Sequence, residues 1–281
     1  MSTAVLITHA HPDGLSDAVA RTAEIARESS VELVAPPDEH RKHGDAAKGI
    51  GEVEELPEEP DLCLVLGGDG SVLYALRRYA RTGVPVFGIN FGTIGFLAAA
   101  ERDELTDGLG RAFRGEFERM ELPALEPKLA VEPAVALNDV SFIRRPHGRV
   151  AELSYRVGDE EVGRVRCDGL VAATPAGSTG YNLANAGPIL AWGVEGFVVS
   201  FIAPHTLTAR ALVVAPQDAL HVGNAAGREP VEVSLDGEPS GELAPGEEIE
   251  IRFRDRVGTL AQLPGANFYH RIREKFGRLA Q

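Results

Sequence analysis

Leu62-Cys63-Leu64-Val65-Leu66-Gly67-Gly68-Asp69-Gly70-Ser71-Val72-Leu73-Tyr74-Ala75-Leu76-Arg77-Arg78 is the stretch on which the fold turns. Its first five residues are apolar without alternation, the pattern of a strand covered on both faces, and residues 72–81 carry apolar side chains at helical spacing. A buried strand running through glycines into a helix is one unit of a parallel α/β sheet. Working outward, residues 4–8 form a short β run, residues 15–28 a helix and residues 31–35 a second strand; residues 84–89 and 101–115 supply a further strand and helix. Strands separated by helices predict a parallel sheet with right-handed crossovers. Residues 36–60, rich in charge and poor in apolar periodicity, are expected to form a mobile surface excursion.

After about residue 116 helical spacing becomes scarce. Short β runs recur at residues 134–137, 152–157, 170–174, 197–201, 211–214, 231–235 and 248–253, predicting a second, β-rich domain. A basic helix is expected over residues 268–279, with Ile272 and Phe276 on one face. The predicted division is an α/β domain at residues 1–116, a β-rich domain at 117–263, and a C-terminal helix at 264–281 packing back on the first domain.

Composition narrows the function. The 281 residues carry 28 Lys and Arg against 42 Asp and Glu, a net charge of −14. That excess of acid argues against wholesale binding to nucleic acid or anionic membranes, so any anionic ligand must be met locally. No apolar run approaches the ~20 residues needed to span a bilayer, and no basic segment followed by an apolar one opens the chain, so a cytoplasmic protein is expected. Cys63 and Cys167 lack metal or redox spacing and read as packing residues.

Gly67-Gly68-Asp69-Gly70-Ser71 sits where open parallel sheets place ligands, at the carboxyl end of a strand. Glycines there permit positive φ and close approach of a ligand to the backbone, and helix-start amides can hold phosphate oxygens. Gly67, Gly68, Gly70 and Ser71 are therefore the candidate phosphate cradle. A carboxylate beside phosphate repels it unless it holds a metal ion or takes a proton from an attacking hydroxyl, which makes Asp69 the candidate catalytic residue. The competing reading is a helix cap by Asp69 or Ser71. The segment is neither a GxxxxGK[ST] loop nor a GxGxxG turn.

Further blocks follow in fixed order: Gly88-Ile89-Asn90-Phe91-Gly92-Thr93-Ile94-Gly95-Phe96-Leu97, Asn138-Asp139, Asp168-Gly169-Leu170-Val171-Ala172-Ala173-Thr174-Pro175-Ala176-Gly177-Ser178-Thr179-Gly180-Tyr181-Asn182, Gly187-Pro188-Ile189, and Pro204-His205-Thr206-Leu207-Thr208-Ala209-Arg210. Together with the Asp69 segment they resemble the NAD kinase family over residues 61–253. The resemblance implies an α/β domain with a parallel sheet joined to a β-rich domain, and Mg²⁺-dependent transfer of the ATP γ-phosphoryl group to the adenosine ribose 2′-hydroxyl of NAD. It places Asp69 as general base and Asn138 and Asp139 on the adenine and ribose. Those two types suit the task, since an amide matches a base edge and a carboxylate accepts ribose hydroxyls. It also implies that Thr179, Gly180, Tyr181 and Asn182 pack on the adenine, that Gly70 and Phe96 line the pocket, and that His205 lies near the substrate. Gly180, Asn182 and Ser71 depart from the commoner Ala, Ser and Thr of the family. Asp168 is implied to reach the site of a neighbouring subunit, in a homodimer or homotetramer.

Two polyanions on a protein of charge −14 need cationic compensation, which a divalent ion on the donor supplies. Arg144, Arg145, Arg166 and Arg210 are the basic residues nearest the motifs, and none has a clear catalytic assignment. Arg166 tilts the donor from polyphosphate to ATP. His9 and His11 flank the first strand end, near a possible triphosphate. The rival functions are a kinase acting on another hydroxyl, in a lipid, sugar or polyol, and a dinucleotide-binding regulator with little turnover.

Overall fold

The computed structural model describes residues 2–9, 14–93, 95–129, 134–225 and 229–277. The chain forms two compact units, Met1–Glu121 with Gly258–Gln281, and Leu122–Val257.

The first unit holds β1 (Ser2–Thr8), α1 (Ser16–Glu28), β2 (Val31–Ala35), α2 (Pro37–His43), β3 (Gly51–Glu52), β4 (Leu62–Gly67), α3 (Asp69–Arg78), β5 (Pro85–Asn90), β6 (Ala100–Glu101) and α4 (Leu105–Phe113). Its strands run parallel in the order β3-β2-β1-β4-β5. Every residue of β4 and β5 is buried, as the unbroken apolar run of residues 62–66 requires for a strand covered on both faces. Register aligns Thr8 with Leu66 and Gly67 with Asn90, so β1, β4 and β5 end at one edge of the sheet.

β7 (Glu118–Pro127) leads out of the first unit. The second unit contains β8 (Asp139–Arg144), β9 (Ala151–Val157), β10 (Glu160–Cys167), β11 (Gly169–Ala173), α5 (Tyr181–Ala184), β12 (Phe197–Ile202), β13 (Leu212–Val214), β14 (Leu220–Asn224), β15 (Val231–Leu235), β16 (Glu238–Leu243) and the start of β17 (Glu248–Gln262). One antiparallel sheet has the order β13-β12-β11-β8-β15-β16, and β10, β9, β14 and β17 form a second antiparallel set. Phe142, Leu170 and Phe197 of the first set and Leu153, Val222 and Ile251 of the second share one core. The end of β17 pairs in parallel with β5 at residues 85–86, and α6 (Phe268–Phe276) follows within the first unit.

Three expectations need correction. Residues 36–60 are not an excursion without structure: they form α2, a 3₁₀ turn and β3. The residues that α2 buries are polar, which hides the helix from a hydrophobicity pattern, although Ala47 and Ile50 after it join the apolar core. Glu39 and His43, one helical turn apart, are buried, and both bond the Thr8 hydroxyl at the end of β1. Residues 134–137 contribute only a single bridge, Leu125 to Ala136, and the strand proper is β8, just beyond. The units divide after residues 121 and 257 instead of 116 and 263, because the last residues of β17 pair with β5. Among the described residues, no helix is long and apolar enough to cross a membrane. Cys63 and Cys167 are buried free thiols.

Candidate active site

Asp69 is the first residue of α3, directly after β4. It does not cap its own helix. Its Oδ2 accepts the Phe96 N–H and its Oδ1 the Leu97 N–H, both at 2.8 Å. Burial pushes the carboxyl pKa up, while the two amides and the charges of Arg271 and Lys275 pull it down. Each oxygen keeps a lone pair after taking one amide, so the carboxylate is held by the backbone and still able to accept a proton.

The neighbouring glycines serve close approach, and none of Gly67, Gly68 or Gly70 uses the positive φ open to it. A Cβ at Gly67 would lie 2.6 Å from the Ser71 hydroxyl. At Gly70 a Cβ would meet no atom within 4 Å, leaving open the backbone face next to Asp69. His9 follows β1 at the same sheet edge, its N–H bonded to the Leu66 carbonyl, whereas His11 lies outside the described residues, as does Ile94.

The segment that meets Asp69 is itself tied down. Asn90 accepts the Gly92 N–H and donates to Glu101, Gln262 donates to the Leu97 carbonyl, and Arg271 of α6 donates to the carbonyls of Gly95, Phe96 and Ala98. Phe96 presents its amide to Asp69, but its ring is buried and stacks against Phe276 at 5.2 Å between centroids.

In the second unit Asn138 and Asp139 stand at the start of β8. The Leu137, Asn138 and Asp139 N–H groups all donate to the carboxylate of Asp236. Asp236 and Gly237, both at positive φ, form the tight hairpin turn between β15 and β16. Asp139 is 6% exposed, and burial together with the neighbouring Asp236 charge pushes its pKa up to about 7.

The small-residue segment packs onto this pair. Thr174 donates its N–H to the Asn138 carbonyl and its hydroxyl to the Leu137 carbonyl, and a Cβ at Gly177 would sit 2.0 Å from the Asn138 oxygen. Only glycine allows that approach. Tyr181, on α5, is close enough to Asp139 for the carboxylate to raise its phenol pKa, together with burial. Thr179 ends the 3₁₀ turn before it, its hydroxyl donating to the Ala176 carbonyl, and Gly180 links that turn to α5. Asn182, a candidate for adenine contact, is fully buried, and its amide donates to the carbonyls of Ser178 and Pro188. It shapes the turn from within.

Asp168 and His205 lie elsewhere. β11 separates Asp168 from Thr174, a span of about 20 Å at the rise of an extended strand. Asp168 pairs with Arg144 at 2.6 Å, which holds its carboxyl below the usual range, and His205 bonds through its backbone to the Arg166 carbonyl. Arg210 donates to the Leu207 and Ala209 carbonyls, and Arg145 pairs with Glu242.

Sequence reasoning missed Asp236 and Arg271. The Asp-Gly pair announces a turn, yet nothing in its spacing links it to a segment nearly a hundred residues earlier. Arg271 lies in a helix read only as basic and amphipathic. Among the described residues, no three His, Cys, Asp or Glu side chains converge as metal ligands would.

Comparison with known proteins agrees with this arrangement. Residues 20–117 match the ATP-NAD kinase N-terminal domain and residues 137–259 the ATP-NAD kinase C-terminal domain. The chain is 38% identical over 244 residues to the NAD kinase of Symbiobacterium thermophilum, covering 83% of this chain and 86% of that one. It is 34% identical over 225 residues to that of Rhodopirellula baltica, covering 78% and 72%. The crystal structure of an NAD kinase from Archaeoglobus fulgidus in complex with ATP matches with a TM-score of 0.74 at 27% identity, over 99% of this chain and 98% of that one. A yeast NADH kinase complexed with NADH shares the fold, with a TM-score of 0.86 at 21% identity over 100% and 89%. Two family domains in series, relatives matched over most of their length, and a backbone-held carboxylate at the sheet edge establish that this chain belongs to the NAD kinase family, phosphotransferases that act on NAD.

Proposed function

We propose that Asp69 takes the proton from the 2′-hydroxyl of the adenosine ribose of NAD while that oxygen attacks the γ-phosphorus of Mg-ATP, giving NADP and ADP. The observation that carries this reading is the double amide clamp on Asp69. A carboxylate fixed by two backbone donors and exempt from capping its own helix keeps acceptor lone pairs for a substrate proton. Catalysis by positioning fits phosphoryl transfer, in which little covalent work falls to the protein. The open backbone at Gly70 accommodates donor oxygens beside the base. ATP as donor is supported by the Archaeoglobus relative, whose structure is a complex with ATP. The divalent ion is expected to arrive with the donor, bridging its phosphate oxygens.

Asn138 and Asp139 take the dinucleotide, the amide at the adenine edge and the carboxylate at ribose hydroxyls, with Thr179, Gly180 and Tyr181 as the surface beside them. Asp168, paired with Arg144 at the far end of β11, serves the site of a second copy in a homo-oligomer, and His205 stands beside it.

The test is a coupled assay for NADP formation from NAD and Mg-ATP. D69N should fold, bind NAD and lose turnover by roughly 10²-fold or more; wild-type turnover would remove Asp69 as base. N138A should raise the KM for NAD with kcat largely kept, and an unchanged KM would separate this pair from substrate. Phosphorylation of a lipid, sugar or polyol in place of NAD would overturn the acceptor assignment.

A further inference from the structure

We propose that Arg271, from the last helix, is a positioning residue for phosphoryl transfer: by gripping the carbonyls of Gly95, Phe96 and Ala98 it fixes the two amides that aim Asp69. The inference deepens the reading of Asp69 as base and rests on it.

The geometry is a two-sided clamp on one short loop. The N–H groups of Phe96 and Leu97 donate to Asp69, and the carbonyls of Gly95, Phe96 and Ala98 accept from one nitrogen of the Arg271 guanidinium. The other terminal nitrogen bonds the Gln262 side chain, which itself donates to the Leu97 carbonyl. A planar guanidinium fits this role, since its fixed fork serves several acceptors at once, and an ammonium supplies charge without that shape. Phe96, Leu97 and Ala98 are buried, so the guanidinium acts on a loop already packed on one side. A cavity of about 320 Å³ opens beside it, bordered by Gly95, Ala98, Glu101, Arg271, Glu274 and Lys275. Gly95, at φ +70°, adds no side chain to stiffen the turn.

Arg271 also acts on Asp69 through charge. The groups facing this region are the cations Arg271 and Lys275 of α6, with Glu101, which pairs with Lys275 and raises the Arg271 pKa, and Glu274, which does the same. Burial lowers the Arg271 pKa against these carboxylates, but an arginine stays protonated in the working range. Loss of its charge leaves Asp69 with desolvation less well opposed, so the Asp69 pKa rises and the acid limb of the pH–rate profile moves to higher pH. Loss of its shape loosens the amides and lowers kcat at every pH.

The two effects separate in two variants. R271Q should lower the plateau kcat on the order of 10- to 100-fold and shift the acid limb upward, with the KM for NAD little changed. R271K should restore most of the acid-limb position and little of kcat. R273Q, on the exposed face of the same helix, should match wild type in both. If R271Q keeps wild-type kcat and acid limb while D69N is inactive, the positioning role is wrong and the base assignment stands. If D69N retains turnover, the base reading fails first, and the Arg271 variants should then lose their acid-limb shift. Should R271Q fold poorly, a folded R271K with wild-type kcat would also overturn the proposal.

Discussion

At the scale of single residues, Asp139 makes the sharpest statement about pH. Its carboxyl has an ordinary value of 3.8 and is pushed to about 7, by burial first and by Asp236 second. In the unfolded chain it loses its proton near 4, whereas the folded chain keeps it until about 7. Between those values the native state binds more protons, so unliganded stability should fall as pH rises from about 4 to 7. Thermal unfolding of the free protein across that range tests the sign, and D139N should flatten the dependence. Ribose hydroxyls donate to the ionised form, so the KM for NAD should fall as pH rises through about 7 in wild type and stay flat in D139N. A pH-independent KM in wild type would take Asp139 away from the ribose. Asp69 differs in kind. Burial raises its pKa too, but two amides and two cations favour its carboxylate and oppose the rise, whereas Asp139 faces another carboxylate.

At the scale of elements, the hairpin turn at Asp236 and Gly237 does more than reverse the chain. Its carboxylate collects three successive amides at the start of β8, and its own N–H returns to the Asp139 carbonyl. D236A leaves those donors without their acceptor, at about 1–3 kcal/mol for a buried unsatisfied group. An unfolding free energy lowered by that amount in a denaturant titration, with a raised KM for NAD, is the expected result; a loss of stability with KM unchanged would make the turn purely structural. D236N keeps the positive-φ turn and one acceptor oxygen and should fall between. The legibility of the sequence divides along the same line. β4, the glycine turn and α3 were readable because burial on both faces and helical spacing are local patterns, and the strands of β9, β11, β12, β15 and β17 were readable for the same reason. α2 was not, because the face it buries is Glu39 and His43, bonded to Thr8. β7, β10, β14 and β16 are not legible because charged and polar residues break up their apolar pattern; β10 and β16, Glu-Pro-Ser-Gly-Glu-Leu, are mostly exposed. Asp69, Asn138 and Asp139 were legible through motif order. Asp236 and Arg271 were not, since each acts on residues far along the chain and neither stands in a motif.

At the scale of the whole molecule, the position of Asp168 poses the remaining question. It lies at one end of β11, and the segment from Thr174 to Tyr181 begins at the other, about 20 Å away along an extended strand. Asp168 pairs with Arg144 and is partly exposed at that end. Assembly offers a resolution: in a two-fold oligomer a patch on one copy meets its partner, and a residue remote within one chain is brought to the other copy's site. On the proposed reading, each active site would draw Asp69 from one chain and Asp168 from another. D69N and D168N homo-oligomers should each be nearly inactive. Co-refolding them in equal amounts as dimers makes about half of the dimers mixed, and each mixed dimer carries one site with both residues intact, so activity should return to about a quarter of wild type. Recovery should follow the rate of subunit exchange when the folded variants are mixed directly. If Asp168 acts on its own chain's site, one chain of every mixed dimer lacks Asp69 and the other lacks Asp168, and mixing restores nothing. Sedimentation of the wild type alongside separates the cases further, because a fully active monomer would exclude any contribution from a second copy.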